Sequence, residues 1–566
     1  MAGGLLNLVA SGNQNVILTG NPTKTFFKCT YAKHTNFGLQ KFRLDYDGLR
    51  TLKMDSTSNF SFKVPRYADL LMDTYLVVTL PTIWSPIVPP TTETANLTTS
   101  KWHPYEFKWI KNIGSQMIER VSFTIGGQTI QEYTGQYLHN LVERDFDAAK
   151  KDLYYKMTGH VVELNDPANA FGHVADYGRN IDNTYPNSYY TTQPEGPEPS
   201  IRTRKLYVPL NIWFTMAAKM AFPLASLQYN ELKINVEIRP VREMYVIRHI
   251  PNATDTGSYY HKPNLNETEE QFYRFIHPPP SAELNDNDYA DKRTIWNADV
   301  HLISTYAFLS DEEREVFAAN PQTYLIKQSY THKFNNISGP QKVKIETMGM
   351  VANWTWFFQR SDATLRNQWS NYTNWPYDYL PYKNVNPDST VTDNNEKVQV
   401  NSTYFNPGTD GDGNPSDLLI TGPYQAENEK NIMISWGLLF DGKYRENVLD
   451  AGVLNYVEKY ARTSGNAPDG LYHYNFGLKS DPTDFQPSGA INLSKFKDIE
   501  FELNVNRPRL DANAVTTMIC DDDGNLIGID KPMWNIYEYT YDLTVMEERY
   551  NVLNFTSGNA SLMYAR

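Results

Sequence analysis

QPSGAINLSKFKDIEFEL, Gln486 to Leu503, joins a small-residue turn to a strictly alternating run. Ile499, Phe501 and Leu503 fall on one side, Glu500 and Glu502 on the other. Period two over this length predicts a strand with one buried face. A second stretch, FPLASLQYNELKINVEI (Phe222 to Ile238), has the same design. Each opens on a Pro (Pro223, Pro487), passes a small-residue turn and enters an alternating strand, here with Ile234, Val236 and Ile238 on one face.

The turn in the later copy carries Ser494 and Lys495, which raises the question of a nucleophile. A serine nucleophile needs a base within hydrogen-bond reach, itself oriented by a third group. Adjacent strand side chains point to opposite faces, so adjacency supplies no such pair. The copy near Pro223 lacks the Ser-Lys pair. Structural corners are therefore expected at Pro223 and Pro487. In the later copy Pro487 fixes the entry, Gly489 permits a tight turn, and Asn492 and Ser494 bond local backbone.

A second pair of stretches follows in the same order. LISTYAFLSDEEREVF (from Leu302) and YEYTYDLTVMEERYNV (from Tyr537) both run through a Tyr-containing strand into Glu-Glu-Arg, at 312–314 and 547–549. Two ordered pairs predict a duplicated β domain, each copy ending in a strand followed by Glu-Glu-Arg, decorated by long loops.

Composition agrees. The 566 residues exceed one ordinary core. Aromatic content is 13%, with 39 Tyr and 26 Phe, which favours pleated sheet. The net charge of −13 argues against a general phosphate-binding surface. Two cysteines, Cys29 and Cys520, make no disulfide framework and read as reduced thiols. No run reaches the roughly 18 apolar residues of a membrane span. Asp47-Gly48, Gly126-Gly127, Asp441-Gly442, Asp469-Gly470 and Asp523-Gly524 mark hairpins. The clearest helix is Ser310 to Pro321, with Ser310 and Glu313 as a capping box and Val316 and Phe317 as its apolar face. Tyr444 to Arg462 is a weaker helical segment. Pro86 to Lys101, Asp182 to Ser200, Pro251 to Asp291 and Ser361 to Ser416 read as surface decoration.

Catalytic, cofactor and metal motifs are missing from the sequence: no Cys-x-x-Cys, His-Glu-x-x-His, phosphate loop or Gly-x-Ser-x-Gly. His34, His103 and His139 have no ligand spacing. DGDGNPSD (Asp410 to Asp417) has Pro415 where a calcium loop needs Gly, and reads as a solvated acidic turn. CDDDGN (Cys520 to Asn525) reads as a hairpin turn. Glycosylation sequons stand at Asn96, Asn252, Asn266, Asn371 and Asn401.

Beyond these residues, the chain resembles the major capsid proteins of large eukaryotic (nucleocytoplasmic) DNA viruses, the double jelly-roll lineage. The stretches that carry the resemblance are Leu5 to Phe37, Ile113 to Leu138, Leu206 to Ile234, Phe308 to Gln328 and Tyr474 to Phe496. The resemblance implies an all-β fold of two tandem eight-stranded jelly rolls, with long loop insertions and a few short helices. The division expected is an N-terminal arm (1–24), a first roll (25–310) and a second roll (311–566). It further implies a homotrimer forming a pseudo-hexagonal capsomer that tiles an icosahedral virion shell, assembled in the host cytoplasm. Neighbouring capsomers and minor capsid and penton proteins are the implied partners, without direct nucleic-acid contact. The N-terminal arm would face inward, with indirect contact to an internal membrane. No cofactor and no enzymatic activity are implied. Two other readings stay open: a minor capsid protein of the same fold, and a glycan-binding β-sandwich using aromatic loops such as NWTWFF (Asn353 to Phe358).

Overall fold

The computed structural model describes residues 12–86, 105–170, 185–186, 188, 198–249, 260–280, 289–376, 429–484, 486–507, 517–520, 526–530 and 539–564. Sixteen of its strands fall into two sets of eight. The first set is β1 (Phe37–Asp45), β2 (Ser58–Lys63), β3 (Leu70–Leu80), β4 (Ile118–Ile125), β5 (Gln128–Tyr133), β6 (Arg204–Pro209), β7 (Leu232–Ile238) and β8 (His301–Leu309). The second is β9 (Gln322–Ile337), β10 (Pro340–Lys344), β11 (Met350–Arg360), β12 (Met433–Phe440), β13 (Lys443–Asp450), β14 (Leu471–Asn475), β15 (Ile499–Val505) and β16 (Tyr541–Thr556).

Their pairing is the same twice over. The first set forms sheets β1-β8-β3-β6 and β2-β7-β4-β5; the second forms β9-β16-β11-β14 and β10-β15-β12-β13. All these pairs are antiparallel. This strand order is that of an eight-stranded jelly roll, so the chain is a double jelly roll. In each roll the two sheets face each other and bury the alternating side chains. β7 buries Leu232, Ile234, Val236 and Ile238, and β15 buries Ile499, Phe501, Leu503 and Val505. Gly126-Gly127 and Asp441-Gly442, all at positive φ, close the equivalent β4–β5 and β12–β13 hairpins.

The duplication is present, but in a different register from the sequence pairing. Phe222–Pro223 pairs with β3 and leads into a 3-10 turn at Leu224–Ser226. Ile491–Asn492 pairs with β11 and leads into a 3-10 turn at Leu493–Lys495. The counterpart of Pro223 is therefore Asn492, not Pro487. A proline lacks the N–H that a central strand must donate, whereas at this edge none is required, so the two residues are interchangeable there. The Glu-Glu-Arg match is coincidental. Glu312, Glu313 and Arg314 lie on a helix after β8, whereas Glu547, Glu548 and Arg549 lie inside β16 and are buried.

Helices depart from expectation in three places. The helix α3 (Asp311–Ala319) forms, but the Ser310 side chain makes no cap hydrogen bond, so the capping box with Glu313 does not close. The bond that starts the helix is from Arg314 N–H to the Ser310 carbonyl, and Arg314 also pairs with Asp311 at 2.6 Å. None of its residues is buried, and Val316 is largely exposed. Tyr444 to Arg462 splits into strand β13 and α4, a π-turn Val453–Val457 continuing as Glu458–Arg462. Most consequential is α1 (Gly135–Asp145), followed by α2 (Ala148–Thr158): every residue of α1 is buried.

Of the remaining turn signals, Asp47-Gly48 closes no hairpin, because β1 and β2 belong to opposite sheets. Asp469-Gly470 precedes β14, with Gly470 at positive φ. The Asp523-Gly524 turn lies outside the described residues, between strands Thr517–Cys520 and Leu526–Asp530, which pair antiparallel. Most of the long polar segments also lie outside them. Their described parts are not mere decoration: Phe272, Phe275 and Tyr372 are core residues.

Candidate functional site: the junction between the two rolls

β1 and β2 line one edge of the first sandwich and β5 and β6 the other. The rolls meet edge to edge, with the β5 side of the first against the β9 side of the second. Gln328 and Ser329 on β9 donate to the carbonyls of Ile130 and Glu132 on β5. Rings interlock beside them: Phe222 with Phe555 at 5.2 Å and Trp213 with Tyr324 at 5.6 Å. The first roll's apolar core takes in Ile326, Phe357, Leu553 and Phe555 of the second.

Strand alternation builds the second wall of this junction. On β11, Trp354, Trp356 and Phe358 fill the second roll's own core. Asn353 and Thr355 point the other way, at α1. On β16, Glu547 accepts from Trp354 Nε1 at 2.7 Å, while Glu548 on the opposite face meets α1.

Helix α1 is the wedge. Thr134 caps it by accepting from Tyr137 N–H, and Gly135 gives the room. A Cβ on Gly135 would lie 2.0 Å from the Ser115 carbonyl oxygen. Arg144, buried at 2% exposure, donates to Asp145 Oδ2 at 2.6 Å, Glu548 Oε1 at 2.8 Å, Asn353 Oδ1 at 3.1 Å and Thr355 Oγ1 at 3.0 Å. Glu548 also accepts from Tyr137 and Asn353, and Asp145 from Ser480. Lys151 ties Glu143 to the Asn466 carbonyl, and Tyr372 donates to Asn140.

The electrostatics follow from burial. Burial alone would raise Glu548, but Arg144, Lys327 and the bonds from Asn353 and Arg144 outweigh it and hold the carboxyl at about 2. Asp145 is raised by complete burial, with Arg144 opposing. His473, bonded to Thr355, is held well below its usual value by burial and by Arg144. A buried charge group with this many partners is a fixed-geometry coupling.

The junction uses up one edge of each roll and leaves the equivalent edges open. The counterpart of α1 is α4, which also follows the β12–β13 hairpin strand, and on it Tyr456, Val457 and Tyr460 are exposed, the last at 93%. The counterpart of β5 is β13, with Tyr444 and Val448 exposed. The counterpart of β9 is β1, with Phe37 and Leu39 exposed. Ahead of β1 the arm exposes Val16, Ile17 and Leu18, and the segment that follows it exposes Phe26 and Phe27.

The residues singled out in the sequence lie elsewhere. Ser488 Oγ donates to the Lys479 carbonyl at 2.7 Å. Gly489 is at φ +138° and packs against Gly477, where a Cβ would meet Gly477 Cα at 2.8 Å. Asn492 Oδ1 accepts from Ser494 N–H, and Ser494 Oγ from Gly349 N–H at 2.8 Å. Pro487 and Lys495 are exposed. Asn266 is exposed, but Asn371 is buried, its Nδ2 donating to the Trp375 carbonyl at 2.8 Å, so it offers no attachment atom for a glycan. Asn96, Asn252 and Asn401 lie outside the described residues, as do Asp410 to Asp417 and residues 521–525. No group of His, Cys, Asp and Glu that could hold a metal occurs among the described residues. NWTWFF lies within β11, with Trp354 and Trp356 fully buried, so it offers no aromatic platform for a sugar.

Two family models match. Residues 25–270 match the major capsid protein N-terminus, and residues 313–561 the large eukaryotic DNA virus major capsid protein. The chain is 25% identical to a major capsid protein of Phaeocystis pouchetii virus, over the whole of both chains. It is 30% identical to one of Chrysochromulina ericina virus, over 61% of this chain and 55% of that one. Among solved structures, the Paramecium bursaria Chlorella virus capsid model matches with a TM-score of 0.57 at 18% identity, over 96% of this chain and 100% of that chain.

Proposed function

This chain belongs to the major capsid protein family of large eukaryotic DNA viruses, a structural subunit of the viral shell, and from that premise we propose that three copies close into a ring of six jelly rolls. One observation carries the reading: every residue of α1 is buried at the junction with the second roll, whereas its counterpart α4 leaves Tyr456, Val457 and Tyr460 exposed. The first roll's β1 edge is open in the same way.

The contact inside the chain is head to tail. Repeated between chains, it sets β13 and α4 of one copy against β1 of the next. A head-to-tail contact forms a ring if its rotation closes and a filament if it does not. With two rolls per chain, three chains give six near-equivalent positions, the local symmetry that tiles an icosahedral shell. Obligate interfaces of this kind bury over about 2,000 Å². The reading divides the chain into an arm (1–24), a first roll (25–310) and a second roll (311–566). The exposed apolar arm supports contact with a neighbouring capsomer, a minor capsid or penton protein, or an internal membrane, during assembly in the host cytoplasm.

Light scattering with negative-stain imaging tests the proposal. The subunit is 65.1 kDa, so a particle of about three times that mass with a hexagonal outline is expected. A stable folded monomer sinks it.

A further inference from the structure

A cavity of about 170 Å³ opens where the two rolls meet, away from the Arg144 group. The first roll contributes Lys108, Trp109 and Tyr260, the second Arg366, Asn367 and Trp369. Three features define what it accepts. Tyr260 and Trp369 place an aromatic residue on each side of it. The charged residues that line it are Lys108, Lys111 and Arg366, with no Asp or Glu among them, although the chain as a whole carries −13. Arg366 is neutralised by Asp362, at 2.9 Å, but Lys108 makes no ion pair among the described residues. Its ammonium lies 3.6 Å from the Tyr260 ring centroid.

Among the described residues, one buried polar atom on the second roll's side of the cavity, the acceptor Asn367 Oδ1, has no hydrogen-bond partner. Asn367 is 3% exposed. The Asn367 amide is fixed, because its Nδ2 donates to the carbonyls of Arg242 (2.9 Å) and Tyr245 (2.8 Å). Buried polar groups in proteins are nearly always satisfied. A cavity of about 150 Å³ is enough for a benzene ring.

We infer that this cavity binds a small aromatic carboxylate carrying a hydrogen-bond donor. The carboxylate pairs with the Lys108 ammonium, the ring stacks on an aromatic wall residue, and the donor reaches Asn367 Oδ1. Such a ligand touches both rolls, so it ties them together. The inference is independent of how many chains assemble.

The test is calorimetric titration of the full-length protein with para-hydroxybenzoate, para-cresol and inorganic phosphate. Saturable binding of para-hydroxybenzoate at one site per chain is expected, with a rise in melting temperature. Para-cresol and phosphate are each expected to bind at least about tenfold more weakly, and Lys108→Gln to cost about tenfold for the carboxylate alone. Ser370→Leu narrows the cavity from the second roll while keeping Lys108, and should abolish binding if the lysine variant fails to fold. No saturable binding, phosphate binding as tightly as para-hydroxybenzoate, or binding unaffected in both variants overturns the inference.

Discussion

Arg144 and Glu548 stand 404 residues apart in sequence and 2.8 Å apart in space, one on a helix of the first jelly roll and the other on the closing strand of the second. Both are buried, so neither has water to fall back on. Glu548→Gln leaves Arg144 with Asp145 alone as a counter-charge, and Arg144→Met leaves both carboxylates without their ion-pair partner. Each is expected to destabilise the chain by about 3–5 kcal/mol. The double variant should cost less than the sum, because removing both charges removes the unpaired state. Urea denaturation of the four proteins gives the coupling. Additive effects would show that the pair does not act as a unit.

Acid acts on the same group. His473 has a folded pKa well below its unfolded value, through burial and then Arg144. The unfolded state therefore binds the proton more readily, and stability falls as pH drops below about 6.5. His139, also lowered by burial, adds in the same direction. Glu548, depressed to about 2, contributes stability that is present above about 4.5 and is lost as pH falls from there toward 2. Asp145, raised, opposes that loss, since protonation relieves its burial. Melting temperature is expected to decline in two stages, from about pH 6.5 and again from about pH 4.5. His473→Gln should shrink the first stage, leaving the part due to His139, and leave the second unchanged. A melting temperature constant from neutral pH to pH 5 would contradict the assignment.

The strands were legible because alternation is a local signal: Ile234, Val236 and Ile238 declare their face without help from elsewhere. Helix α1 was not. Gln136, Asn140, Arg144 and Asp145 are polar, and their burial depends on partners in the other roll. The local signals were Thr134 as an N-cap ahead of Gly135 and Tyr137, Leu138, Leu141 and Val142 at helical spacing behind it, which mark a helix but not the burial of its polar face. The duplication was legible as an order of motifs but not as a register. Pro487 and Pro223 share a residue type, whereas Asn492 and Pro223 share a position on an edge strand. Glu-Glu-Arg misled for a related reason: on β16, Glu547 and Glu548 are buried on opposite faces, each satisfied by its own partners.

Gly135 holds the wedge in place sterically. A methyl group there meets the carbonyl oxygens of Ser115 at 2.0 Å and Ile118 at 2.4 Å, both backbone atoms that cannot swing aside. Gly135→Ala is expected to cost about 3 kcal/mol or more, or to prevent folding. Gly127 supplies the contrast. It is at φ +89° with nothing within 4 Å of the added methyl, so Gly127→Ala pays backbone strain alone, about 1 kcal/mol. Equal losses in the two variants, measured by denaturant titration, would remove the steric argument for α1.

The open edge of the second roll should be needed for assembly and not for folding. Tyr460 is 93% exposed and Val448 49%, so a carboxylate at either position stays in water while the chain is alone. Surface substitutions of this kind usually change stability by less than about 0.5 kcal/mol. In the ring, both positions face β1 of the next copy, where Phe37 and Leu39 carry no charge and Arg43 is held by Asp45 and Asp299, so Lys41 can pair with at most one of the two carboxylates. A buried unpaired carboxylate there costs several kcal/mol per contact, and a closed trimer contains three such contacts. Val448→Glu combined with Tyr460→Glu is therefore expected to give a monomer by light scattering, with a circular dichroism spectrum and an apolar-dye response like those of a folded chain. If the variant still sediments as a trimer, the ring is closed by a different pair of edges. If it is unfolded, these residues serve the core and the equivalence between α1 and α4 fails.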